Sequence, residues 1–113
     1  IGPYSQAIVC GDMVFTSGQI PINPVSGNVE ATTIEEQAEQ VMKNLGEVLK
    51  AAGSNFEKAV KTTCFLADMA DFAAFNEVYA KYFITNNFNI YHNENEQNFR
   101  SNYADGCCCF CSM

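Results

Sequence analysis

Residues 33–53 read Thr-Ile-Glu-Glu-Gln-Ala-Glu-Gln-Val-Met-Lys-Asn-Leu-Gly-Glu-Val-Leu-Lys-Ala-Ala-Gly, and the fold follows from what this stretch must be. Apolar residues recur at Ile34, Ala38, Val41, Met42, Leu45, Val48, Leu49 and Ala52, one stripe at the 3.6-residue helical period. Thr33 and Glu36 have capping-box spacing, so a helix starts there, and Gly53 stands where a left-handed residue would end it. Acids cluster in the first turns (Glu35, Glu36, Glu39) and Lys50 falls in the last, as the helix dipole favours. The spacing therefore predicts a long amphipathic helix over 33–52 that must lay its apolar stripe on something else.

On the N-terminal side, Ala7-Ile8-Val9-Cys10 and Met13-Val14-Phe15-Thr16 flank Gly11-Asp12, a two-residue turn that tolerates positive φ, which predicts a β-hairpin. Pro21, Asn23-Pro24 and Ser26-Gly27-Asn28 then make a surface loop. On the C-terminal side, Lys58 to Ala67 alternates Val60, Thr62, Cys64 and Leu66 against Lys61, Thr63, Phe65 and Ala67, a strand covered on both faces. Asp68 or Asp71 caps a second helix with a stripe at Phe72, Phe75, Val78, Tyr79, Tyr82 and Phe83. The order β, β, α, β, α predicts an α+β two-layer sandwich, a mixed sheet with two helices on one face. Its free face and edges call for a partner subunit.

The chain has 113 residues, 48% of them apolar, enough for one modest core. No run of about 18 apolar residues exists, so no membrane span is expected. Six Lys+Arg against thirteen Asp+Glu give a net charge of −7, which repels nucleic acid and anionic lipid. Four of the six cysteines (Cys107, Cys108, Cys109, Cys111) crowd into the last seven residues, so they do not describe a disulfide scaffold. Cys10 and Cys64 read as core thiols of a protein in a reducing compartment, the cytoplasm or the mitochondrion. At Thr85 the character changes: residues 86–113 hold seven Asn and no clear periodicity. Residues 1–85 are accordingly expected to form the domain and 86–113 an irregular, replaced C-terminal tail, with Ile1 an internal start of a longer product.

Motifs for chemistry are sparse. The single His, His92, lies in the tail, which leaves no nucleophilic triad. Cys108 to Cys111 is formally C-x-x-C but has no second pair, so no metal site is expected. No phosphate loop or dinucleotide fingerprint is present. Ser17-Gly18-Gln19 at a strand end offers a hydroxyl and approachable amides for a small anion or a water, or is simply a turn. Tyr4 is either a ligand-facing phenol or a buried ring with its hydroxyl tied off. Asn76 is either a boundary residue of the second helix or a ligand contact.

Several dispersed segments agree in order and spacing with one family. Ile-Gly-Pro-Tyr-Ser-Gln-Ala (1–7), Val-Phe-Thr-Ser-Gly-Gln-Ile-Pro (14–21), Glu-Glu-Gln-Ala with Asn44-Leu45, Val60-Lys61-Thr62-Thr63, and Asp71-Phe72 through Asn76-Glu77-Val78-Tyr79 resemble the RidA/YjgF/UK114 family. The resemblance runs to about residue 85. It implies a chorismate-mutase-like fold, a homotrimer with clefts between subunits, and hydrolysis of reactive 2-imino or enamino acids to 2-keto acids and ammonia without metal or cofactor. An older label for the family is endoribonuclease or translation inhibitor. The resemblance makes Tyr4, Ser17, Gly18 and Asn76 substrate-binding residues. The family's Pro-Ala-Arg segment and late Glu have no counterpart: the corresponding place reads Ile84-Thr85-Asn86-Asn87-Phe88-Asn89-Ile90, so no catalytic residue is assigned. Loss of a bidentate Arg on a carboxylate costs on the order of a hundredfold in rate, which makes binding without turnover, by a trimeric ligand-binding or chaperone-like member, the alternative.

Overall fold

A computed structural model describes residues 3–83 and the backbone of 108–112. Within it, the predicted hairpin forms from β1 (Ala7–Cys10) and β2 (Met13–Thr16), antiparallel, with Ala7 opposite Thr16 and Cys10 opposite Met13. Gly11 takes φ 58° in the turn, a left-handed conformation that a Cβ would strain.

Helix α1 (Ile34–Ala51) matches its expected span to one residue. Thr33 is extended and its hydroxyl accepts from the Glu36 amide at 3.3 Å, while the Glu36 carboxylate accepts from the Thr32 amide at 3.2 Å, one residue beyond the predicted reach. At the other end Gly53 (φ 77°) donates to the Lys50 carbonyl and Ser54 to that of Leu49, the paired bonds of a Schellman ending. A short 3-10 turn over Phe56–Lys58 then leads into β3 (Lys61–Phe65). The strand is shorter than the 58–67 expected because Asn55 caps that turn, its side chain accepting from the Glu57 amide. Asp68 likewise caps a 3-10 turn, and α2 (Phe72–Tyr82) starts at Asp71 with no side-chain cap bond.

The sheet differs from expectation in two respects. Cys108–Ser112, expected to belong to an irregular tail, forms β4, and β4 lies between β2 and β3 in the order β1-β2-β4-β3. Every pairing among the described residues is antiparallel, in place of the mixed sheet expected: β2 and β3 run the same way but are not neighbours. The physical reason is the α1 crossover, which sets β2 and β3 one strand-width apart and leaves unpaired amides and carbonyls on both sides of the gap. Any compatible backbone that enters it gains a ladder on each side, whatever its side-chain periodicity. The proposed domain limit at residue 85 falls at positions outside the described residues.

The core sits between the sheet and the helices. Val41, Met42, Leu45 and Leu49 of α1 pack with Phe75, Val78 and Tyr79 of α2, and Cys64 of β3 closes the layer. Phe75 is fully buried, and withdrawing such a ring from water contributes about 1.5–3 kcal/mol. The Tyr79 ring lies 4.5 Å from that of Phe83, and the Tyr79 hydroxyl is hydrogen-bonded to Thr62 on β3, fixing α2 to the strand. Gly46 lets Phe56 approach α1: a Cβ there would meet the Phe56 ring at 3.2 Å. The strand residues alternate accordingly, with Val14, Thr16, Thr62 and Cys64 buried under the helices and Phe15 exposed on the other side. Cys10, expected in the core, is exposed, because in the hairpin register it pairs with Met13 on that uncovered face. No helix among the described residues is long and apolar enough to cross a membrane.

Candidate functional site

Three of the four predicted binding residues come together where the chain enters β1 and leaves β2. The Ser17 amide donates to the Gln6 carbonyl at 2.9 Å, which extends the hairpin ladder by one step. The Ser17 hydroxyl donates to the Ser5 carbonyl. Tyr4, next to Ser5 in the chain, is half exposed at 52%, so its ring is not the buried, tied-off one of the two sequence alternatives. Gly18 follows Ser17 and is half buried.

Two glutamines that sequence reasoning did not single out as site residues join this cluster. Gln19 is buried, and its Nε2 donates to Gln6 Oε1 at 3.0 Å and to the Ser17 carbonyl at 3.3 Å. Gln6 Nε2 in turn donates to the Tyr4 hydroxyl at 3.4 Å. The available signal was that both lie inside the motif segments, Gln19 next to the Ser-Gly pair. Only the hairpin register brings the two side chains into contact.

Helix α1 holds this segment from behind. Asn44 Nδ2 donates to the carbonyls of Ile20 and Ile22 at 3.1 and 2.8 Å, and its Oδ1 accepts from Gln40 at 2.9 Å. Gln37 similarly donates to the Ala31 carbonyl at 3.3 Å. A loop that leaves the sheet at Ser17 is thus tied to the helix by side-chain amides rather than by packing alone.

Asn76 lies elsewhere. It is half buried on α2, and among the described residues its side chain makes no hydrogen bond to the Tyr4–Ser17 cluster. The Arg and Glu expected from the resemblance would fall after Phe83, outside the described residues up to 107. Among the described residues no group of His, Cys, Asp and Glu could hold a metal ion.

The electrostatics separate this cluster from a second concavity. Between α1, α2 and the 21–31 loop runs a groove lined by five glutamates, including Glu35, Glu39 and Glu77, against Lys43 and Lys81, and none of the predicted binding residues lines it. Glu39 there accepts from the Tyr82 hydroxyl at 2.6 Å and from Lys81 at 3.3 Å. The Tyr82 hydrogen bond lowers the Glu39 carboxyl below its usual range, against a smaller opposing effect of burial, and Lys81 lowers it further. Burial, and then the same bond, push the Tyr82 phenol up to about 12. This trio ties α2 to α1, and the groove's negative charge repels a small carboxylate. The Tyr4–Ser17–Gly18 cluster carries no acid or base other than the phenol, so it works by hydrogen bonding: it can orient a small planar polar ligand and a water.

Comparison with known proteins bears on that ligand. The model of the endoribonuclease L-PSP family matches residues 1–95, a span that includes all four predicted binding residues. The chain is 52% identical over 83 residues to the chloroplastic Reactive Intermediate Deaminase A of Arabidopsis thaliana, covering 74% of this chain and 44% of that protein. It is 49% identical over 86 residues to the human 2-iminobutanoate/2-iminopropanoate deaminase, covering 76% of this chain and 63% of the human one. The chain therefore spans less than two thirds of the length of these relatives. Among solved structures, yeast Mmf1 superposes with a TM-score of 0.87 at 34% identity, over 100% of this chain and 87% of the yeast one.

Proposed function

Because the chain belongs to the endoribonuclease L-PSP family, the RidA/YjgF group whose motifs it carries, we propose that it hydrolyses reactive 2-imino and enamino acids to 2-keto acids and ammonia. The observation that carries this reading is that relatives about half identical to the chain are named for that activity. The C=N carbon of the imino acid accepts water, the C–N bond breaks, and the nitrogen leaves as ammonia. In this reading Tyr4, Ser17, Gly18 and Asn76 contact the substrate.

The same reading includes a homotrimer. The sheet face away from the helices carries Ile8, Met13 and Phe15, all exposed in the single chain, and burying them against further copies removes a large apolar surface from water. A cleft between subunits would also bring Asn76 of one copy to the Tyr4–Ser17 cluster of another. Among the described residues Cys10 and Cys64 are not joined in a disulfide, which fits a reducing compartment, the cytoplasm or the mitochondrion.

A lyase that uses pyridoxal phosphate to generate 2-iminobutanoate or 2-iminopropanoate provides the test. Purified protein is expected to accelerate 2-keto acid release, and no acceleration at any protein concentration overturns the hydrolase reading. One observation favours a second reading, binding without turnover: the segment 84–90, where the family places its arginine, contains none. Saturable binding of 2-oxobutanoate with no acceleration identifies it. RNA cleavage is disfavoured by the net charge of −7.

A further inference from the structure

We propose that Gln19 is a positioning residue for the substrate-binding tyrosine: by fixing which way the Gln6 amide points, it makes the Tyr4 hydroxyl a hydrogen-bond donor toward the ligand. The inference deepens the imine-hydrolase reading and rests on it for the identity of the ligand.

The polarity of the cluster follows from one fixed point. The Ser17 carbonyl only accepts hydrogen bonds, so the Gln19 atom 3.3 Å from it must be the amide nitrogen. That same nitrogen sits 3.0 Å from Gln6, so the Gln6 atom facing it must be the carbonyl oxygen. The Gln6 nitrogen is then the atom left to face the Tyr4 hydroxyl, at 3.4 Å, and the phenol oxygen accepts from it. A phenol has one proton, and with its oxygen accepting from Gln6 that proton is free to point at a ligand. Ser17 ends in the opposite state: its one proton is committed to the Ser5 carbonyl, so its oxygen can only accept from a ligand. The cluster thus presents a donor at Tyr4 and an acceptor at Ser17. This pairing suits a ligand that carries a carboxylate or carbonyl oxygen beside an N–H or a water, as a 2-imino acid does. Burial of Gln19 protects the orientation, because a reversed amide would set its carbonyl against the Ser17 carbonyl with no water to intervene.

Two substitutions reverse the phenol without removing it. In Gln6→Glu the carboxylate still accepts from Gln19 but now accepts from Tyr4 as well, taking the tyrosine proton away from the ligand. In Gln19→Glu the carboxylate accepts from the Gln6 nitrogen, so Gln6 presents its carbonyl to Tyr4 with the same result. The primary measurement is the Cζ resonance of 13C-labelled tyrosine in the ligand-free protein, with the Tyr4 signal identified by its loss in Tyr4→Phe. Both variants are expected to move it downfield, as a phenol does when it donates. The second measurement is the affinity for 2-oxobutanoate, expected to fall about tenfold in each variant, the loss of one hydrogen bond of ordinary strength. In a Tyr4→Phe background, Gln6→Glu is expected to lower affinity by less, leaving only the repulsion between the new carboxylate and that of the ligand. An unmoved Tyr4 resonance in Gln6→Glu, or an equal loss of affinity with and without the Tyr4 hydroxyl, overturns the proposal. Gln6 is exposed, so this variant serves even where Gln19→Glu does not fold. If the unaltered protein neither binds 2-oxobutanoate nor hydrolyses an imine, the hydrolase reading fails, while the resonance still decides whether Gln19 sets the phenol.

Discussion

The two faces of the sheet are both rich in apolar residues, yet one is covered except at the β1 edge, where Val9 is exposed, and the other is open. Beneath the helices Val14, Thr62 and Cys64 are under one tenth exposed, whereas Ile8 and Phe15 on the other side are 56% and 47% exposed. Hydrophobicity does not separate the two sets. What separates them is that α1 and α2 carry apolar stripes and the connections place both stripes on the same side. The described residues form two α-helices and place both on one face, so the uncovered face and the β1 edge are what an assembly would complete. The polar cluster at Tyr4 and Ser17 lies at the end of the hairpin, where the covered layer meets the open one.

This contrast can be broken most severely from the covered side. Phe75→Ala is expected to cost about 3–5 kcal/mol, because the fully buried ring leaves a cavity between α1, α2 and β3, and denaturant unfolding measures it. Asn44→Ala comes next, at about 1–3 kcal/mol, since it strips a shared donor from the Ile20 and Ile22 carbonyls. It should also weaken 2-oxobutanoate binding, as the loop carrying Ser17 loosens, and calorimetric titration separates the two effects.

Glu39→Gln at the helix pair should cost no more than about 1 kcal/mol, as for a partly exposed ion pair. Its signature lies in the pH dependence. The folded carboxyl is held low, first by Tyr82, so its contribution is complete above the usual carboxylate range and disappears as pH falls through the lowered folded value. Glu39→Gln is expected to flatten that acid limb of a stability profile. Tyr82 has the opposite sign: its phenol is raised to about 12, so the folded state keeps the proton longer and its contribution disappears as pH rises from about 10 toward that value. Tyr82→Phe should remove this alkaline limb, read by the same unfolding series.

On the open face, Phe15→Lys should change the stability of the single chain least, within about 0.5 kcal/mol, because the ring is already half in water. Light scattering gives the sharper comparison: a trimer that buries this face should dissociate in the variant, and an unchanged mass would show that Phe15 lies outside any interface.

Most of the architecture was legible because it is written in short-range terms. The 33–52 stripe with Thr33 before it and Gly53 after it, and the Gly11-Asp12 turn between two apolar runs, specify their elements through neighbours at most four residues away. Strand β4 was not legible, because Cys108–Ser112 pairs through its backbone with two strands far away in sequence, and its own side-chain pattern carries no such instruction. Cys10 misled for a related reason, since an apolar strand residue reads the same whether its face is covered or open. In the site, the residue types at Tyr4, Ser17 and Gly18 were visible as motif positions, whereas the roles of Gln6 and Gln19 were not.

By itself the sequence determined the family, the two helices, the hairpin and the chemical groups available for binding, because these depend on local periodicity, turn chemistry and motif spacing. Tertiary structure alone decided which sheet face is covered, what fills the gap between β2 and β3, and which way the Gln6 amide points. Each of these is a choice among groups distant in sequence, settled by which hydrogen bonds and apolar contacts can be satisfied together in three dimensions.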